Sequence, residues 1–260
     1  MLKVQGLPPA QRYAFFSDVH GSINHLQQLV DLPEWSDPQV RFVFLGDVVD
    51  GHGDVVDVRA ALAFLMDHQD KITWVLGNHD YFLLETARAN PREFYRWVGR
   101  NNGSDTLRNL GYQGVLDPED EEALQAVAEF LTTEYGDLVQ KLADLPNAVE
   151  NEGIIGLHAG IDWSEKYWQE TSQEKSLWIR EPYYYDETGD YAKNKTDKVI
   201  VTGHTPVEEE ETFPQNQGQS TIVTMRHGGV GSGDVPRYVI DGGCSLGLPQ
   251  SRLNVLILKA

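Results

Sequence analysis

Five short segments of this 260-residue sequence place carboxylate, amide and imidazole side chains next to one another. In chain order they are Asp18-Val19-His20, Gly46-Asp47, Gly77-Asn78-His79-Asp80, His158-Ala159-Gly160 and Gly203-His204-Thr205-Pro206. One such segment alone is weak evidence, because Gly-Asp pairs are common in turns. Taken together, mixed oxygen and nitrogen donors suit two borderline divalent metal ions. The candidate ligands are Asp18, His20, Asp47, Asn78, His158 and His204.

Each of the five segments follows a short apolar run, which predicts a buried strand ending in a polar loop. The runs cover residues 13–16, 41–45, 72–76, 154–157 and 199–202. Helical patterns, among them 55–66, separate the first three runs, and this alternation indicates a parallel α/β sheet. Ligands bind at the carboxyl ends of such strands. We therefore expect the candidate ligands to converge along one edge of a sheet.

Two further segments bear on the organisation of the chain. Residues 91–147 look helical and acidic, and no repeat or linker divides them from their surroundings. We therefore expect one domain over residues 1–260, with a helical insertion at about 91–147. Residues 208–233 carry an acidic run and then a Gln-, Gly- and Ser-rich stretch, which predicts a mobile loop or a hairpin. Whether that segment forms a lid stays open at this point.

Composition narrows the class of protein. The chain has 40 Asp and Glu residues against 21 Lys and Arg, a formal net charge of −19, which argues against nucleic-acid partners. A hydrophobic fraction of 40% argues against disorder. The single cysteine, Cys244, cannot form an internal disulfide. Because no apolar run is long enough for a signal peptide or a membrane span, we expect a cytoplasmic protein without a membrane partner.

The order and spacing of the five segments resemble those of the calcineurin-like metallophosphoesterases. Many members of that family have a second histidine after Gly-His, whereas Thr205-Pro206 here is similar to the phosphoprotein phosphatase branch. Further stretches resemble bacterial members of that branch, which also contains symmetrical diadenosine tetraphosphate hydrolases: Asn102-Gly103, Leu177-Trp178-Ile179-Arg180 and Asp241-Gly242-Gly243. The resemblance spans about 12–247. It implies a four-layer α/β/β/α sandwich with a helical, cap-like insertion.

The resemblance also implies how the two ions would be held. Site one would use Asp18, His20 and a bridging Asp47. Site two would use Asp47, Asn78, His158 and His204. The family's ions are usually manganese, iron or zinc. We expect manganese, although ligand type alone does not choose among the three.

The same resemblance assigns catalytic roles. His79 would protonate the leaving group after a metal-activated water attacks phosphorus, and Asp50 would orient His79. The family usually has an arginine after the residue equivalent to Asp50, and that arginine binds the substrate phosphate. This chain has Gly51 there. Arg180, His52 and, beside its metal role, Asn78 are the candidate substrate-binding residues.

Three functions follow from these observations. The first is a phosphatase of the bacterial Ser/Thr protein phosphatase type, acting on phosphorylated proteins or small phosphoesters. The second is a nucleotide hydrolase of the diadenosine tetraphosphate type, which cuts a phosphoanhydride. The third is a degenerate scaffold that binds metal and phosphate without turnover. Only the missing arginine supports the scaffold, and the presence of both His79 and Asp50 argues against it.

Overall fold

The computed structural model describes residues 1–52 and 56–260. Within these residues the strands are β1 (Val4–Gly6), β2 (Arg12–Phe16), β3 (Val40–Phe44), β4 (Ile72–Trp74), β5 (Ala148–Glu150), β6 (Ile154–Leu157), β7 (Val199–Thr202), β8 (Val223–Met225), β9 (Arg237–Val239) and β10 (Leu256–Lys259). The helices are α1 (Ile23–Val30), α2 (Val58–Asp67), α3 (Asn78–Ala87), α4 (Pro91–Arg100), α5 (Gly103–Leu110), α6 (Glu121–Glu134), α7 (Gly136–Asp144) and α8 (Gln173–Trp178). The helix predicted at 55–66 is α2, and its predicted first residue, Val55, lies outside the described residues.

The strands form two sheets. One has four strands in the order β10-β2-β3-β4, with β2, β3 and β4 parallel. The other has six in the order β1-β5-β6-β7-β9-β8, with β6, β7 and β9 parallel. The expectation that all five ligand-bearing strands share one sheet edge was therefore wrong. Three end in the first sheet and two in the second, because local sequence patterns do not specify which strands pair.

The two sheets pack face to face through alternate side chains of their strands. Phe15 and Val43 of the first sheet share a buried cluster with Val149 and Val201 of the second. Side chains one position along, such as Phe16, face the helices instead, as the two-residue period of a strand requires. The carboxyl ends of β2, β3, β4, β6 and β7 can consequently meet at one end of the sandwich.

The outer layers differ from each other. Helices cover the first sheet with a large apolar cluster. On the second sheet, aromatic side chains from irregular segments, including Tyr183, Tyr184 and Phe213, supply much of the cover. Arg237 of β9 is fully buried there and donates to the carbonyls of Tyr183 and Ala192. The predicted α/β fold, two sheets flanked by helices, is confirmed.

The segments 91–147 and 208–233, which the sequence analysis set apart, both contain regular secondary structure. Helices α4 to α7 occupy much of 91–147, and α4, α6 and α7 pack against α3. Within 208–233, β8 pairs antiparallel with β9 and gives the hairpin alternative of the prediction. Phe213 of the same segment is fully buried. Among the helices described, none has the length and apolar character needed to cross a bilayer.

Candidate metal centre

The loops that follow the ligand-bearing strands have an unusual backbone. Five site residues adopt positive φ: Asp18 (55°), His20 (45°), Asp47 (66°), Asp50 (70°) and His204 (71°). The left-handed region costs a residue with a Cβ about 1–2 kcal/mol, so strain of this kind persists only where surrounding contacts fix it. The concentration of left-handed residues in these loops indicates that the loops hold the site side chains in place at a cost in backbone strain.

A first group of donors comes from the ends of β2 and β3. Ligand atoms of Asp18, His20 and Asp47 all lie within 4.8 Å of one another, and the three residues are buried. The Nδ1 atom of His20 lies 2.7 Å from the carbonyl oxygen of Val49. With Nδ1–H donated to that carbonyl, Nε2 keeps its lone pair for a metal ion. Nε2 lies 3.8 Å from Oδ2 of Asp47.

A second group joins the two sheets and also contains Asp47. Ligand atoms of Asp47, His158 and His204 lie within 4.8 Å of one another. The amide oxygen of Asn78 lies 2.7 Å from Nε2 of His158 and 2.9 Å from Nδ1 of His204. Nδ1 of His158 is held by the carbonyl of Leu45 at 2.8 Å. The structure thus gathers all six predicted ligands into two groups that share Asp47; their coordination of metal stays a prediction.

The electrostatics of the two groups favour bound cations. Burial, together with the negative charge of Asp47, raises the pKa of Asp18 to about 7. Burial also opposes the ionisation of Asp47, but the imidazoles of His158 and His79 outweigh it and hold the pKa of Asp47 below its usual value. Two buried carboxylates beside each other are stable only with compensating positive charge. Oxygen and imidazole donors make divalent ions such as manganese, iron or zinc a chemical fit.

The predicted pair of His79 and Asp50 lies beside these groups. Nδ1 of His79 is 2.7 Å from Oδ2 of Asp50. Asp50 also accepts from Nε1 of Trp97 at 2.6 Å and from the hydroxyl of Thr106. Burial disfavours the imidazolium, yet the charges of Asp47 and Asp50 raise the pKa of His79 to about 9. A protonated His79 with Nδ1 occupied has Nε2 left to donate a proton.

Asp80 holds the loop that carries Asp47 in place, a role that was not predicted from the sequence. Its carboxylate accepts from the backbone N–H groups of Asp47 and Val48 at 3.0 Å each and of Gly77 at 3.2 Å. Burial and the charge of Asp47 raise its pKa to about 6. The available signal was a carboxylate three residues after Gly77, where a helix begins, since such a side chain can reach back to the N-cap N–H. Asp80 fixes the loop that carries Asp47.

Two further residues were missed for different reasons. Asp241 follows β9, is buried, and lines the same pocket as the ligands. The resemblance includes it only as part of Asp241-Gly242-Gly243, although a carboxylate that follows a strand repeats the pattern of Asp18 and Asp47. Trp97 lies on α4, far along the chain from Asp50, and a tryptophan in a helix gives no local sign that its N–H donates to the Asp50 carboxylate.

The groups open onto a pocket of about 330 Å³. Both predicted substrate-binding residues outside the ligand set, His52 and Arg180, line it. His52 is exposed, and its Nδ1 lies 3.3 Å from Nδ2 of Asn102. A guanidinium nitrogen of Arg180 lies 3.8 Å from Oε2 of Glu209. Their contacts with substrate stay predictions.

The backbone explains why position 51 carries no side chain. A Cβ on Gly51 would lie 1.9 Å from the carbonyl oxygen of His20 and 2.7 Å from a methyl of Val56. The carbonyl of Gly51 also accepts from Nδ2 of Asn102 at 2.8 Å. The chain therefore passes through the space that an arginine at position 51 would need.

We expect Gly51→Ala to lower the free energy of unfolding by about 1–3 kcal/mol, because the added methyl meets backbone rather than a flexible side chain. Chemical denaturation measures the change. Gly153→Ala is the control, since a Cβ there has no neighbour within 4 Å. Equal stability of the two variants would show that the loop at position 51 shifts at little cost.

We expect Asp80→Asn to weaken metal binding about 10- to 100-fold, in line with the loss of outer-shell partners in other metal sites. It should also lower the free energy of unfolding by about 1–3 kcal/mol, because one of the two oxygens that accept from buried N–H groups is replaced by an NH2 donor. Metal titration and denaturation measure the two effects. Asp67→Asn, an exposed position on α2, is the control. Unchanged metal affinity would rule out the positioning role.

Comparison with known proteins shows which sequences this chain resembles. The family model for calcineurin-like phosphoesterases matches residues 11–234. The zinc-dependent endopolyphosphatase of Saccharomyces cerevisiae is 26% identical over 222 residues, which cover 71% of this chain and 64% of that protein. A symmetrical bis(5'-nucleosyl)-tetraphosphatase of Pseudomonas fluorescens is 29% identical over 171 residues, covering 65% and 50%. This chain thus matches between half and two thirds of these relatives' lengths.

A solved structure provisionally assigned as a diadenosine tetraphosphatase has the same fold. It superposes with a TM-score of 0.57 at 15% identity and covers 99% of this chain and 98% of its own. The family match spans most of the chain and includes all six candidate ligands together with His79 and Asp50. The protein belongs to the calcineurin-like phosphoesterase family.

Proposed function

We propose that this protein hydrolyses phosphate esters or anhydrides with water activated by two divalent metal ions. The observation that carries the proposal is the carboxylate of Asp47, which belongs to both donor groups and lies next to the pair of His79 and Asp50. A bridging ligand suits a two-metal site, and a hydrogen-bonded His–Asp pair suits proton donation. A scaffold without turnover has no use for that pair.

The roles of the individual residues follow from their contacts. When bound, the ions would lower the pKa of a water and offset the charge of the phosphoryl oxygens. The carbonyls of Val49 and Leu45 orient His20 and His158, so that their Nε2 atoms point to the donor groups. Asp50 keeps His79 protonated and correctly turned, and Nε2 of His79 would pass its proton to the leaving oxygen.

We place small phosphoesters and nucleotides first among the substrates. The relatives' names point to small phosphate compounds rather than to proteins, since one is a polyphosphatase and another a bis-nucleosyl tetraphosphatase. Phosphoprotein is the second candidate, because Trp178 and Arg180, from the motif that resembles bacterial phosphoprotein phosphatases, line the pocket. Manganese stays the first choice of ion, and the zinc dependence named for the yeast relative makes zinc the alternative to test.

A substrate comparison tests the proposal. The protein loaded in turn with Mn²⁺, Zn²⁺ or Fe²⁺ is assayed on p-nitrophenyl phosphate, a phosphoserine peptide and diadenosine tetraphosphate. Turnover of any of them supports the reaction class, and the ranking of rates decides the substrate class. If the protein binds metal but turns over none of the three substrates, hydrolysis is refuted and the non-catalytic scaffold is favoured.

Metal binding should stabilise the fold, because an ion that binds only the native state shifts the folding equilibrium. At a hundredfold excess over its dissociation constant, Mn²⁺ should raise the melting temperature by roughly 5–10 °C. Asp47→Asn should abolish most of this shift, since both groups lose a carboxylate, whereas Asp67→Asn should retain it. A full thermal shift in Asp47→Asn would contradict the shared-ligand assignment.

His79→Asn should retain the thermal shift with Mn²⁺ but lose rate, because its imidazole serves the leaving group rather than the metal. We expect a loss of about 10²–10⁴-fold on an alkyl phosphate and a smaller loss on p-nitrophenyl phosphate, whose leaving group needs little protonation. Steady-state kinetics measure both. His227→Asn is the control, since His227 is not among the residues that line the pocket. A full rate on the alkyl ester would remove His79 from the mechanism.

A further inference from the structure

The pocket holds two guanidinium groups among the described residues that line it, Arg100 and Arg180. Gly51 leaves no room for a third at the position where the family usually has its phosphate-binding arginine. The two remaining arginines differ in their surroundings. Arg180 has Glu209 at 3.8 Å. Within the part of the chain that the structure describes, no carboxylate lies within 4.0 Å of Arg100.

Among the described residues, the contacts of the Arg100 guanidinium are weak and come from its own helix. A terminal guanidinium nitrogen lies 3.4 Å from the hydroxyl of Tyr95, and the guanidinium carbon lies 5.2 Å from the centroid of that ring. The side chain is exposed at the end of α4. Arg100 lines a pocket that we propose to take anionic substrates, and no described carboxylate pairs with it, so its guanidinium is well suited to bind a phosphate group.

The position of Arg100 on α4 assigns it to one side of the site. Trp97, three residues earlier, donates to Asp50, and residues three apart on a helix lie on the same face. Asn102, two residues later, donates to the carbonyl of Gly51, the residue after Asp50. Hydrogen bonds of Trp97 and Asn102, one before and one after Arg100 in the chain, therefore hold this part of the chain against the loop that carries Asp50. Because Asp50 is the partner of His79, Arg100 lies on the side of the site where the leaving group would take its proton.

We propose that Arg100 binds a phosphate carried by the leaving group, so that the site favours phosphoanhydrides over phosphomonoesters. This inference rests on the proposed hydrolysis. Water adds hydroxide to phosphorus and releases its other proton to solvent, while the bond from phosphorus to the bridging oxygen breaks. That oxygen leaves with the electron pair and takes the proton of His79, which solvent restores. The departing phosphate stays paired with Arg100 until release.

Arg100→Ala tests the proposal in the Mn²⁺-loaded protein. We measure kcat/KM on tripolyphosphate and on diadenosine tetraphosphate, two sources of a phosphate leaving group, and on p-nitrophenyl phosphate. Loss of a charge-assisted contact should lower both anhydride values by roughly 10- to 100-fold. The loss on p-nitrophenyl phosphate should stay within about threefold, because its leaving group carries no phosphate. Arg100→Lys should recover part of the loss.

Arg92→Ala is the matched control, an exposed arginine at the other end of α4. It should behave as the wild type on all three substrates. Equal losses for Arg100→Ala on ester and anhydride would overturn the leaving-group assignment, and so would no loss on either. A loss on only one of the two anhydrides would support the proposal and identify the source of the phosphate.

A binding measurement separates this proposal from the reaction itself. Methylenediphosphonate, an uncleavable diphosphate, is titrated calorimetrically into the Mn²⁺-loaded wild type and into Arg100→Ala. We expect weaker binding by the variant, roughly 10- to 100-fold, and equal binding of inorganic phosphate by both proteins. If the wild type hydrolyses nothing yet shows this difference, the proposed function fails and the anion-binding role of Arg100 stands. Equal diphosphonate affinity would overturn that role.

Discussion

The buried carboxylate of Asp47 is the constraint around which the site is arranged. It belongs to both donor groups, accepts the N–H of His79, and stabilises positive charge on the neighbouring imidazoles. Its own position depends on a left-handed backbone and on the acceptor that Asp80 provides. Burial of a carboxylate costs hydration free energy, which hydrogen bonds and positive charge must offset. The loop N–H groups, the neighbouring imidazoles and the predicted metal ions all serve to offset it.

The sequence allowed the ligands, the strand ends and the resemblance to be predicted, because each is a local pattern. Apolar runs ending in polar residues mark strands, and the donor types indicate the class of ion. The resemblance implied two sheets, but the apolar runs themselves did not show which strands belong to which sheet. The arrangement of the two sheets depends on contacts between residues far apart in the chain, such as those of Phe15 with the second sheet. Gly156 leaves room for the Phe15 ring, since a Cβ on Gly156 would lie 2.9 Å from that ring.

The contacts around His79 and Asp50, the predicted catalytic pair, also divide into those that the local sequence indicates and those that it does not. Asp50 and His79 could be named from motif spacing. The hydrogen bonds that Asp50 accepts from Trp97 and Thr106 could not, because these donors lie on helices whose placement depends on tertiary packing. Gly103 illustrates the dependence, since a Cβ there would come within 2.6 Å of the Trp97 ring. The glycine of the Asn102-Gly103 stretch, which the sequence showed only as a resemblance, therefore has a physical reason: it leaves room for the Trp97 ring.

The two donor groups differ in how many sheets position their residues. Asp18, His20 and Asp47 all lie in loops that follow strands of the first sheet. The group of Asp47, His158 and His204 combines residues that follow strands of both sheets. Metal binding is coupled to folding wherever ligands come from distant segments. An ion in the second group would therefore act as a cross-link that fastens one half of the sandwich to the other.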